Sequence, residues 1–102
     1  MGRPVFLIAR CKRNKTELYI GWNEYLGRSA FVLTRIGNKK SVKSIWGMSS
    51  DYKATFHAKP ISFLKEILEA DKLVAQITPY NESPVTAIFN TQGLKNAIRP
   101  LR

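Results

Sequence analysis

The chain of 102 residues is poor in the side chains that build disulfides, metal sites and catalytic centres. It has one cysteine, Cys11, and one histidine, His57. A single cysteine cannot form an intrachain disulfide or complete a metal site, and the CxxC and HExxH patterns of zinc proteins are absent. A lone histidine acts as a general base only beside a nucleophile or an orienting carboxylate, and the sequence identifies neither.

Acidic residues and phosphate-binding motifs are also scarce. The 7 Asp and Glu residues form no pair at a spacing typical of acid–base catalysis, and Glu66 and Glu69 flank the apolar face of a predicted helix. There is no glycine-rich phosphate-binding loop. The segment Gly47-Met48-Ser49-Ser50 lacks the second glycine of a nucleophile elbow. We therefore predict a protein that is not an enzyme and that has no catalytic residues, no cofactor and no metal.

Long apolar runs are missing as well. None reaches the roughly 20 residues of a membrane-spanning helix, so no transmembrane segment is predicted. The run Val5–Ala9 is too short for the apolar core of a signal peptide, and no small-residue cleavage site follows it. The sequence as written is thus expected to carry no export signal.

Positive charge is what the chain has in excess. It contains 17 Lys and Arg residues against 7 Asp and Glu, a formal net charge of +10. Residues 1–59 hold 12 of the basic and 3 of the acidic residues, whereas residues 60–102 hold 5 and 4. This asymmetry indicates an anionic partner, such as a nucleic acid, an anionic lipid or another acidic polymer. The alternative is that the lysines lie on strand edges and discourage edge-to-edge pairing.

Seven short segments are predicted to be strands, and several of them alternate apolar and polar residues as half-buried strands do. The predicted strands are Pro4–Arg10, Thr16–Ile20, Ser29–Ile36, Ser41–Trp46, Tyr52–His57, Leu73–Thr78 and Val85–Phe89. The first is almost continuously apolar, which favours a central position in a sheet. Turns are expected at residues 14–15, 37–40 and 79–84, and a loop at residues 47–51.

Two helices are predicted. The first starts at Pro60 and covers Ser62–Ala70; its apolar face consists of Ile61, Leu64, Ile67 and Leu68. The second closes the chain after a cap at Asn90 or Thr91; its apolar face consists of Leu94, Ala97, Ile98 and Leu101. The fold class is therefore mainly β (α+β): an antiparallel sheet or small sandwich of about seven strands with two helices, in a single domain over residues 1–102.

Aromatic residues are expected to form most of the core. This set is Phe6, Trp22, Phe31, Trp46, Phe56, Phe63 and Phe89. The aromatic loop between Gly21 and Gly27 is also a candidate binding surface, through Trp22 and Tyr25. Cys11 is expected to be buried, because its neighbours Arg10 and Lys12 lie on the opposite face of the strand.

Several blocks of the sequence, in order, resemble the TagO/VasI-type family of type VI secretion system-associated proteins. The matching blocks are LIARCKRNKTELYIGW (7–22), YLG (25–27), TRI (34–36), W-x-M-S-S-D-x-K-A-T-F (46–56) and LVAQITPYNESPVTAIFNTQGLKNAIRPLR (73–102). They cover nearly the whole chain, and the last block is the strongest.

The resemblance implies an exported accessory protein of a contractile secretion machine, located in the periplasm or cell envelope, without a catalytic site. Members of that family begin with a signal peptide and further strands, and they continue past the last helix to a second cysteine. Compared with them this chain is a shortened or prophage-type version, in which Cys11 lacks its family disulfide partner. Made as written, it would stay in the cytoplasm.

Two functions are compatible with these features. The first is a non-enzymatic envelope interaction module that binds a protein or an anionic envelope polymer. The second is a phage-derived nucleic-acid-binding protein in which Trp22 and Tyr25 stack on bases. The candidate partner-binding residues are the same for both: Arg10, Lys12, Arg13, Lys15, Trp22, Tyr25, Lys39 and Lys40.

Overall fold

The structure, a computed structural model, describes residues 4–28 and 30–92. Eight strands and one helix lie within these residues. The elements are β1 (Phe6–Lys12), β2 (Lys15–Gly21), β3 (Phe31–Ile36), β4 (Val42–Ile45), β5 (Gly47–Met48), β6 (Ala54–Phe56), α1 (Pro60–Leu68), β7 (Lys72–Ile77) and β8 (Val85–Asn90).

The strands form two antiparallel four-stranded sheets. Sheet A has the order β1-β2-β6-β5, and sheet B has the order β4-β3-β7-β8. The β1–β2 hairpin pairs Lys12 with Lys15 across a two-residue turn. Both turn residues, Arg13 and Asn14, have positive φ, 52° and 62°, as in the tight turns whose twist matches that of the flanking strands.

One core lies between the two sheets and α1. Its fully buried aliphatic residues come from both sheets and from the helix: Leu18, Ile20, Val32, Leu73, Ala75, Ile77 and Ile67. Trp22 lies in the same core and donates its indole N–H to the hydroxyl of Thr55 over 3.0 Å. This hydrogen bond satisfies the one polar atom of the largest buried side chain.

The predicted mainly β, antiparallel architecture is confirmed, and so is the alternation that points Leu73, Ala75 and Ile77 inward. The strand count differs, because Gly47 pairs with Phe56 and Met48 with Thr55 where the sequence suggests a loop. The predicted C-terminal helix falls on residues 93–102, which lie outside the described residues.

The prediction that the first strand is central is wrong. Within residues 4–28 and 30–92, β1 lies at the edge of sheet A and pairs only with β2. Its run of apolar residues arises because both faces carry them: Leu7 and Ala9 pack against the core, while Phe6 and Ile8 lie on the outer surface. A continuous apolar run is therefore compatible with an edge strand whose outer face is not purely polar.

Three of the expected core aromatics, Trp22, Trp46 and Phe63, are buried. Phe6 and Phe31 are not, with 57% and 47% of their surface exposed, so those predictions are wrong. Each of the two alternates with inward-facing neighbours and therefore points out of its sheet. Two further members of the set, Phe56 and Phe89, are partly buried.

The apolar face of α1 and the burial of Cys11 also need correction. Ile67 is buried and Leu64 packs against the core, as predicted, but Ile61 is 55% exposed. Phe63, one turn before Ile67, is the buried residue that the prediction left out. Cys11 lies on the same side of β1 as Leu7 and Ala9 but is exposed, since nothing in the described part of the chain covers this end of the hairpin.

Candidate functional site

The outer surface of sheet A combines aromatic and basic side chains. The sheet register places Ile8 beside Tyr19 and Tyr19 beside Phe56, so a row of apolar side chains crosses three strands. The same alternation brings Phe6 and Arg10 of β1 to this surface, and Glu17 of β2 lies opposite Arg10. We call the whole set the basic aromatic face: Phe6, Ile8, Arg10, Glu17, Tyr19 and Phe56.

Three side chains of this face are stacked in order. The rings of Tyr19 and Phe56 are nearly parallel, with centroids 4.7 Å apart and an interplanar angle of 27°. The guanidinium carbon of Arg10 lies 5.2 Å from the centroid of the Tyr19 ring, within the range of a cation–π contact. The stack leaves Phe6 as the large apolar side chain of the face that is most exposed.

The charge of Arg10 is held in place by Glu17. Arg10 Nε donates to Glu17 Oε1 over 2.7 Å, and this hydrogen bond raises the pKa of Arg10. Since both groups are accessible to water, the pair orients the guanidinium more than it stabilises the fold. Arg10 is thus a cation of fixed position whose charge is partly offset by its neighbour.

Uncompensated positive charge lies at the tip of the β1–β2 hairpin, next to this face. Arg13 and Lys15 are exposed, and neither forms an ion pair with any residue in the described ranges. The backbone register places Lys12 directly opposite Lys15. Four of the predicted basic site residues, at positions 10, 12, 13 and 15, therefore belong to this one hairpin.

The other predicted site residues do not join them. Trp22 is 1% exposed, so its assignment to a partner-binding surface is wrong: the ring is part of the core. Tyr25 is 54% exposed and packs edge-on against Tyr52, with ring centroids 5.9 Å apart. Lys39 and Lys40 lie on the turn between β3 and β4, in sheet B, and Lys39 Nζ is 3.9 Å from Glu66 Oε1.

Sequence reasoning missed the aromatic part of the site. The alternation of β2, which places Glu17 and Tyr19 opposite Leu18 and Ile20, was a signal that could have identified Tyr19. Phe6 and Phe56 were assigned to the core, because a large aromatic side chain is buried more often than exposed. The residues next to them in the sequence do not show whether these two side chains point outward or inward.

His57 lies in a different environment, beside the start of α1. Its ring stacks on Phe63 with centroids 4.2 Å apart and meets Trp46 edge-on at 4.9 Å. Its Nδ1 accepts the backbone N–H of Lys59 over 2.9 Å, and burial lowers the pKa of His57. By accepting this hydrogen bond, the neutral ring fixes the backbone at the start of α1. Among the described residues, it has no hydrogen-bonded nucleophile or carboxylate.

Within residues 4–28 and 30–92 there is no group of three or more Cys, His, Asp and Glu side chains arranged to hold a metal ion. Over the same residues, no helix has the length and apolar character that crossing a membrane requires. Comparison of the chain with protein-family models, with curated proteins and with solved structures gives no match.

Proposed function

We propose that this protein is a non-enzymatic accessory of type VI secretion in the bacterial cell envelope, and that it binds an anionic partner through the basic aromatic face and the adjoining hairpin tip. The secretion context rests on the ordered sequence blocks that resemble the TagO/VasI-type family. The binding role rests on one observation above all: the exposed ring of Phe6 lies on the same hairpin as Arg13 and Lys15, whose charges have no ion-pair partner in the part of the chain that the structure describes.

Such a surface has the composition of a protein-binding patch. Aromatic and arginine side chains are enriched among the residues that contribute most to association. Stacking of Arg10, Tyr19 and Phe56 orders these side chains before a partner arrives, which lowers the entropy lost on binding. The free charges at the tip attract an acidic surface and increase its association rate.

The partner in this proposal is a protein with an acidic surface or an anionic polymer of the envelope. The charge of the whole chain, +10, favours both in the same way. The proposed location is the periplasm or envelope, in keeping with the family resemblance.

The test is complementation in the native host after deletion of the gene. Arg13→Glu combined with Lys15→Glu should fail to restore secretion, because the hairpin tip becomes negative. The matched control, Lys65→Glu combined with Lys72→Glu, changes the charge by the same amount at exposed positions of α1 and β7 and should restore it. Undiminished secretion in the deletion strain would refute the secretion role, and equal effects of the two pairs would refute the assignment of the surface.

Nucleic-acid binding by a phage-derived protein is the second candidate. It is favoured by aromatic rings on a basic sheet face, the arrangement on which single strands stack. We place it second for two reasons. Trp22, one of the two stacking residues suggested by the sequence, is buried, and Tyr19 and Phe56 stack on each other, which occupies one surface of each ring.

A further inference from the structure

A groove follows the open edge of sheet B. Among the described residues, β4 is the edge strand there, and β3 is its one hydrogen-bonded neighbour. A cavity of about 330 Å³ lies between β3 and β4 on one side and the start of α1 with the segment that precedes it on the other; Thr34 and Ile36 line it from β3. Ser44 and Ile45 line it from β4, and Ser62, Phe63 and Glu66 line it from the helix.

The hydrogen bonds between β4 and β3 show which backbone groups of β4 point to the open edge. Trp46 N donates to Ala30 O over 2.8 Å, so residues 46, 44 and 42 point their N–H and C=O groups toward β3. The groups of Lys43 and Ile45 must then point the opposite way, to the open edge. Neither N–H has an acceptor among the described residues.

The side chains along this edge are apolar and basic. Val42 and Ile45 are 57% and 67% exposed, and both line the groove. Lys59 lines it, while Lys43 lies on the opposite face of β4, with its Nζ 5.4 Å from the centroid of the Phe31 ring. Neither lysine forms an ion pair with a residue in the described ranges. The acidic residue of its lining, Glu66, is the one that lies 3.9 Å from Lys39.

We propose that this groove binds an extended segment of a partner protein, which adds to sheet B as a fifth strand beside β4. The backbone of the segment pairs with the outward groups of Lys43 and Ile45. Its apolar side chains enter the cavity between β4 and α1, beside Lys59. Its alternating Asp or Glu side chains lie on the other face of the sheet, beside Lys43. This surface differs from the basic aromatic face, so the inference does not depend on the proposed function.

The probe is a pool of linear ten-residue peptides in which Val or Leu alternates with Asp or Glu, titrated into the full chain. A second pool carries Lys or Arg in place of the acids. We expect the acidic pool to bind saturably and the basic pool to bind at least about tenfold more weakly, because like charges would be brought together at the lysines. With the acidic pool bound, amide hydrogen exchange should slow at Lys43 and Ile45.

The deciding variant is Ile45→Pro, which removes an outward N–H without breaking the bonds between β3 and β4. Its matched control is Ile88→Pro on β8, the opposite edge of the same sheet. Ile88 is 70% exposed, and the bond from Thr91 N to Asp71 O places its N–H outward as well. We expect binding to weaken about tenfold or more in Ile45→Pro and less than twofold in Ile88→Pro.

Urea unfolding of both proline variants checks that they fold. If Ile45→Pro does not fold, Lys43→Glu combined with Lys59→Glu takes its place, and this pair should reverse the preference between the two pools. Three results would overturn the proposal: no saturable binding of the acidic pool, equal losses in the two proline variants, or a dimer of the peptide-free chain that pairs through β4.

Discussion

The imidazole of His57 lies against the rings of Trp46 and Phe63 and accepts a hydrogen bond from the backbone of Lys59. Burial among these groups lowers its pKa, because the charged form loses more hydration than the neutral form. Glu66 acts in the opposite direction but more weakly. Protonation of this one side chain therefore opposes the folded state.

We expect the free energy of unfolding to fall as the pH drops through the ordinary histidine pKa of about 6.5 toward the lower value of the folded state. The sign follows from the unfolded chain binding more protons than the folded chain in this window. His57→Asn keeps a side-chain acceptor for Lys59 but does not titrate there. Urea unfolding at about pH 8 and pH 5 should show a smaller loss for this variant than for the unmodified chain.

Equal losses of stability between these pH values in the variant and in the unmodified chain would contradict the assignment to His57. Asp51 does not interfere with the comparison. The hydrogen bond from Ser49 lowers its pKa below the ordinary value of 3.8, so it titrates under more acidic conditions.

At the scale of elements, α1 is anchored through few residues. Phe63 and Ile67 are buried, whereas Ile61, in the first turn, is 55% exposed although the pattern of apolar residues includes it. Pro60 at the helix start agrees with the sequence expectation. The helix is thus held by the side that carries Phe63, Leu64 and Ile67.

The two isoleucines of α1 provide a direct comparison. Ile67→Ala removes fully buried methyl groups and should destabilise the protein by about 2–5 kcal/mol. Ile61→Ala, the same change at an exposed position, should alter the free energy of unfolding by no more than about 0.5 kcal/mol. Urea unfolding of the two variants measures the difference, and similar values for both would show that the helix packs through another face.

At the scale of the whole molecule, the net charge of +10 produces attraction to any polyanion. For duplex DNA this attraction should be independent of sequence and should fall with salt, with a slope of about −0.9 per phosphate neutralised. The exposed aromatic residues of the described ranges are spread over both sheets and the loops: Phe6 lies on sheet A, Phe31 on sheet B, and Tyr25, Tyr52 and Tyr80 lie outside the strands. They do not form one continuous stacking track on a single face.

We therefore expect DNA and RNA to bind more weakly than micromolar at about 150 mM salt, in the non-specific range of about 10⁻⁴–10⁻⁶ M. Fluorescence anisotropy titrations with single-stranded and duplex oligonucleotides at several salt concentrations test this. Nanomolar affinity for a single strand at that salt would require specific stacking and would favour the nucleic-acid function over the secretion accessory.

Part of the candidate site could be predicted from the sequence. The cluster of Arg10, Lys12, Arg13 and Lys15 is a local feature, and a hairpin keeps residues close in sequence close in space. The aromatic half could not be predicted, because Tyr19 and Phe56 become neighbours through the pairing of β2 with β6. That pairing joins segments separated by more than 30 residues.

The sequence by itself determined the basic charge, the antiparallel strands and their hairpins, because alternation and turn residues act over a few neighbouring positions. Tertiary structure alone decided that β1 is an edge strand, that Phe6 and Phe31 point outward, and that Gly47–Met48 joins sheet A. The physical reason is that alternation defines two faces without saying which one is covered. Only the packing of the sheets and α1 around one core makes that choice.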